Sequence, residues 1–139
     1  MHAKAAALYD QAARLASHIE SSRARLFYSL GYDALTSILA NPSTQQRIVG
    51  IDARIESFKR SIPPLDRVDP NRPDVLRSLA VVHLLTRCAL IKLHMPLMNE
   101  PGSNERAISA TRSIVGILRG LGTSGIDVVN PIMGVSKYL

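Results

Sequence analysis

Residues 74 to 95, DVLRSLAVVHLLTRCALIKLHM, open after Pro73 and run to the edge of Pro96. Val75, Leu76, Leu79, Val81, Val82, Leu84, Leu85, Leu90, Ile91 and Leu93 cover much of the circumference of a helix drawn through this stretch. A helix that apolar needs partners on most sides, which puts it at the centre of a bundle. It is not a membrane span, because Arg77, His83, Arg87, Lys92 and His94 interrupt it. Pro96 lacks an amide proton and biases Met95 away from helical angles, so the helix ends or kinks there. A histidine in the last turn, here His94, interacts favourably with the negative end of the helix.

The flanking segments supply the partners. Residues 3–30 are alanine-rich, and Leu8, Ala12, Leu15, Ile19, Leu26 and Leu30 form one stripe at helical spacing. A break is expected at Gly31, with a restart near Tyr32 and a stop at Asn41-Pro42. Ser43 followed by Gln46 has the spacing of a capping box, and Ile48, Ile51, Ile55, Phe58 and Ile62 then make an apolar seam. Pro63 and Pro64 end that helix and begin a proline-rich connection at about 63–73, expected to be ordered or semi-rigid but without regular structure. NEPGSNE reads as a turn-rich loop after the central helix. ERAISATRSIVGILRGLG is a further helix, with Ile108, Val115 and Leu118 beside Ile114, Ile117 and Leu121; Gly120, Gly122 and Gly125 are expected to dissolve its end. Pro131 suits the first turn of a last helix that reads as cut short. The expectation is an all-α, irregular multi-helix bundle over 1–139, part of a larger helical domain.

Composition agrees with a packed domain. At 139 residues the chain is long enough to bury about two-thirds of its unfolded surface. Hydrophobic residues make up 46% and aromatic ones only 4%, so aliphatic side chains must form most of the core. The net charge of +6 comes mostly from arginines spread along the chain, a pattern of solvated helix faces rather than a phosphate-tracking patch. The single cysteine, Cys88, excludes an internal disulfide and any multi-cysteine zinc site, and lies where it acts as a small core hydrophobe. The N-terminus lacks the pattern of a signal peptide.

No constellation of catalytic residues stands out. His83 and His94 are three turns apart, about 16 Å along a helix axis, too far to share a metal; the other histidines are His2 and His18. Phosphate-cradling glycine loops, nucleophile elbows and paired metal-ligand histidines are absent from the sequence. Asp10, Asp33, Asp52 and Asp74 read as helix-surface or near-terminal residues, and the chain as a non-enzyme. If any segment carries function, it is the turn at Lys92, His94 and Pro96, then Arg112; a helix terminus with packing roles explains that turn more simply.

Four segments in order, SFKRSIPPL, LIKLHMPL, SNERAISATRSIVGILRGL and VVNPIMG, together resemble the middle homology region of fungal zinc-cluster transcription factors. The family's Leu-Pro-like helix end is matched by Ile62-Pro63. Its Leu-His-Arg-Pro-Phe-Leu-like motif is matched by Leu93, His94, Pro96 and Leu97, with Met95 where many members have arginine. Ala110-Thr111-Arg112, followed by Ile114-Val115, matches the small and basic residues of the next helix, and Asn130-Pro131 the opening of another. The likeness runs from about 55 to 135. It implies a nuclear regulatory domain of an RNA polymerase II transcription factor that does not read bases itself. Zinc and DNA contact would belong to a separate N-terminal cluster of six cysteines. The implied partners are the rest of the polypeptide, another transcription-factor subunit or a small-molecule inducer, with no cofactor in this chain. The alternative is a free-standing helical module that binds a protein or a small ligand.

Overall fold

The computed structural model describes residues 1–123. Every regular element among them is helical: α1 His2–Leu30, α2 Leu35–Leu39, α3 Pro42–Ser61, α4 Pro73–His94 and α5 Pro101–Thr123. Two 3-10 turns, Leu65–Arg67 and Met95–Leu97, sit on either side of α4. The expected all-α bundle is therefore the architecture found, and no described helix is long and apolar enough to cross a membrane. The sequence position of Pro131, and of the helix expected to open there, lies outside the described residues, as does Gly125.

α4 occupies the centre, packed most extensively on α1 and α5 and also on α3. Leu15 and Ile19 of α1, Ile55 of α3, and Val82, Thr86 and Leu93 of α4 are the largest fully buried side chains. Burying an aliphatic side chain of this size stabilises by about 1.5–3 kcal/mol relative to exposure. Thr86 is polar, but its hydroxyl donates to the carbonyl of Val82 at 2.7 Å, so it enters the core without an unmet donor. Ile51, Phe58 and Ile62 complete the buried seam of α3, with Ile48 half-buried at its edge.

Several boundaries differ from the sequence reading, each for a local reason. α3 is capped by Asn41, whose Oδ1 accepts from the Ser43 amide at 2.9 Å, and Pro42 takes the first helical position. Ser43 is thus inside the helix and the Ser43–Gln46 capping box does not form. The proline-rich connection contains an ordered 3-10 turn at Leu65–Arg67, with Leu65 and Val68 packed on the core. NEPGSNE is not wholly a loop, since α5 begins at Pro101 and includes Gly102, Ser103 and Asn104. Proline tolerates that first position because its missing amide would have no intrahelical partner. α5 also runs through Gly120 and Gly122, carried by Leu121, which packs on Ala80 in the first half of α4 beside Ile117 of α5 itself.

The stripe of α1 is buried only as far as Ile19; Leu26 is half-buried, and Leu30 is exposed together with Phe27 and Tyr28. Gly31 ends the helix at φ 76°, the left-handed conformation that glycine adopts without a Cβ clash. Asp33 then bonds Arg23 at 2.9 Å and accepts from the Leu35 amide at 3.1 Å, which fixes the chain reversal into α2. On α5, Ile108, Val115 and Leu118 are exposed, while Ala107, Ala110 and Leu121 are buried.

Candidate functional site

The end of α4 is where polar chemistry concentrates. Helical periodicity sets Asp52 and Glu56 one turn apart on α3, beside the buried Ile51 and Ile55. The same geometry sets Ser103 and Arg106 together in the first turns of α5. His94, the last residue of α4, falls between them and is 5% exposed.

Its Nε2 meets Asp52 Oδ1 at 2.8 Å, and its Nδ1 meets Ser103 Oγ at 2.9 Å. Because a carboxylate only accepts, Nε2 carries the proton in this bond. Arg106 Nε donates to the same Asp52 oxygen at 3.0 Å, and Arg106 Nη2 to Glu56 Oε1 at 2.7 Å. Lys59 completes the chain with a 2.9 Å contact to Glu56 Oε2. Burial pushes the Asp52 carboxyl up, but the bonds from His94 and Arg106, with the charge of Arg106, bring it below the usual range. Asp52 is therefore not the solvated surface carboxylate expected from its place in the sequence.

A carboxylate, an imidazole and a hydroxyl in hydrogen-bonded order are the parts of a serine nucleophile relay. Such a relay relies on the carboxylate to steady a developing imidazolium. Here two nitrogens of Arg106 lie on the same Asp52 oxygen, at 2.8 and 3.0 Å, and already compensate its charge. The arrangement acts as a clasp that joins α3, α4 and α5.

A second histidine makes a parallel joint half-way along α4. His83 Nε2 donates to the Pro63 carbonyl at 2.8 Å, which leaves Nδ1 as an acceptor for Arg87 Nη1 at 3.1 Å. The tautomer is fixed by these two partners. Burial and the charge of Arg87 hold this imidazole below its ordinary range, so it stays neutral. Pro63, one of the residues carrying the family resemblance, is thus tied to the central helix through its backbone.

The other sequence-singled residues divide. Ile62 and Leu93 are core residues, Pro96 and Leu97 are buried in the 3-10 turn, and Ala110 is buried on α5 against α4. Lys92 and Arg112 are exposed and take no part in the clasp. Cys88 is half-buried, and burial raises its thiol pKa, as for an inert packing residue. Among the described residues no group of three or more His, Cys, Asp or Glu side chains is placed to hold a metal. Asp52, Glu56, Ser103 and Arg106 were missed by sequence reasoning. Their only sequence signal is polar pairs at i,i+4 and i,i+3 beside apolar seams, which many solvated helices share.

Beside the clasp an open groove of about 690 Å³ runs between α2, α3 and the start of α5, lined by Leu39, Ile48, Val49 and Leu97 with His94 and Arg106. No protein-family model, curated protein or solved structure matches this chain.

Proposed function

We propose that this chain is the regulatory helical domain of a fungal zinc-cluster transcription factor, acting in the nucleus on RNA polymerase II transcription without catalysis. Base reading would fall to a zinc-bearing segment elsewhere in the polypeptide. What supports the reading is where the resembling residues lie. Ile62-Pro63 and Leu93-His94-Pro96 form the ends of α3 and α4, and both ends are fastened through α4 by histidine bonds, one to the Pro63 carbonyl and one to Asp52 and Ser103. A change in the turn at His94 therefore bears on three helices together. A regulatory domain needs such a joint, because a ligand or partner shifts an equilibrium only by differential contact with two packings.

The sequence of the full-length transcript tests this. Six cysteines in zinc-cluster spacing upstream of Met1 are expected, and an upstream reading frame without them overturns the proposal. A second reading, a free-standing module for a protein segment or small ligand, is favoured by the open groove beside His94. That reading predicts saturable ligand binding by residues 1–139 alone, lost when Ile48 in the groove wall is changed to Asp.

A further inference from the structure

On the other side of the clasp lies a separate pocket of about 380 Å³ between α3, α4 and α5. Lys59, Arg87, Arg106, Ser109 and Ser113 line it, along with the carboxylates of Glu56 and Glu105. Three cations thus face two carboxylates. Arg106 and Lys59 are already engaged with Glu56, at 2.7 and 2.9 Å. Arg87 is different: among the described residues the half-buried guanidinium makes no ion pair, and burial pushes its pKa down although the nearby Glu56 carboxylate favours its charge.

The donors of Arg87 can be accounted for one by one. Nε donates to Ser113 Oγ, and Nη1 donates to His83 Nδ1 and to the His83 carbonyl, each at 3.1 Å. An arginine carries five N–H groups, so the two on Nη2 remain without an acceptor among the described residues. Ser113 accepts from Arg87 through its oxygen and keeps its own proton to donate. Among the described residues no buried side-chain nitrogen or oxygen lacks a partner, so Nη2 is open to solvent, and a planar guanidinium presented in this way is suited to a carboxylate or phosphate group. His83 locks the other side of Arg87, because its protonated Nε2 is held on Pro63 and its Nδ1 accepts.

We propose that this pocket binds a small anion, a carboxylate or phosphate group held by Arg87 Nη2 and the Ser113 hydroxyl, with Lys59 and Ser109 at its rim. The site stands on the surroundings of Arg87 and does not depend on the transcriptional reading. A ligand there would bridge α4 and α5, since Arg87 belongs to one and Ser113 to the other, and would add a closing contact between them. Its binding would also be weakened by salt, though less than at an open surface, because the guanidinium is half withdrawn from solvent.

The test is a titration of the intact chain with orthophosphate and, separately, with succinate, at ionic strength balanced with sodium chloride. Proton–nitrogen NMR follows the Arg87 Nε–H signal, and thermal unfolding is measured in parallel. Either anion should move that signal saturably and raise the melting temperature; phosphate alone identifies a phosphoryl ligand, succinate alone a carboxylate. Arg87→Gln should weaken binding by about tenfold or more, whereas Arg112→Gln on the exposed face should leave it unchanged. A signal unmoved by both anions, or a thermal shift equal in Arg87→Gln, overturns the site. Should Arg87→Gln fail to fold, the wild-type Arg87 signal decides, with Ser113→Ala as the second variant, expected to weaken the same shift.

Discussion

A single proton position illustrates how far side-chain chemistry is dictated by neighbours. Burial first, and then Arg87, lower the His83 pKa from its ordinary 6.5, against the raising effect of its bond to the Pro63 carbonyl. The unfolded chain therefore binds a proton at His83 more readily than the folded one. Stability contributed by this residue is complete above about pH 6.5 and is lost as pH falls through that value, levelling off below the folded pKa. Urea unfolding at about pH 7.5 and 5.5 should show wild type losing more stability than His83→Gln, with His2, His18 and His94 common to both. Asp52 follows the same sign in a more acidic window: its folded pKa lies below the ordinary 3.8, so its contribution persists through mild acid and fades as pH falls through the folded value. Asp52→Ala removes the acceptor for His94 and Arg106 and should cost about 1–3 kcal/mol in denaturant unfolding at neutral pH. A cost near zero would show that solvent replaces the carboxylate.

Helix ends and helix glycines make the sharpest tests of individual elements. Because Asn41, not Ser43, caps α3, Asn41→Ala should destabilise by about 0.5–2 kcal/mol while Ser43→Ala changes stability little. The reverse order in chemical denaturation would restore the capping box. Two glycines should respond with opposite signs. At Gly31 the φ of 76° disfavours any L side chain, so Gly31→Ala should cost about 1–2 kcal/mol. At Gly116, inside α5, an added Cβ meets nothing within 4 Å, and Gly116→Ala should stabilise by about 0.5–1 kcal/mol. Midpoints of urea unfolding compare the pair directly.

Across the whole molecule, α4 is the element on which the others depend. Hydrogen exchange should find the slowest amides between Val82 and Leu93, where α1, α3 and α5 all pack, and much faster exchange from Glu20 to Leu30, where α1 has no buried residue. Uniform protection along α1 would contradict this ordering. The centrality of α4 was legible in the sequence, as were the all-α class, the break at Gly31 and the seam Ile51, Ile55, Phe58 and Ile62. Each is a consequence of local chemistry: apolar periodicity, a residue without a Cβ, a proline without an amide. The sequence alone also ended α4 at His94 and Pro96. Only the tertiary structure decided that His94 would meet Asp52 from 42 residues earlier and Ser103 from the next helix. It alone set Arg87 on Ser113 and His83 rather than on a carboxylate among the described residues, and turned Leu30 and Val115 to solvent. Periodicity fixes which face a residue occupies, whereas the meeting of two faces depends on how helices cross, and no spacing within one helix encodes that angle.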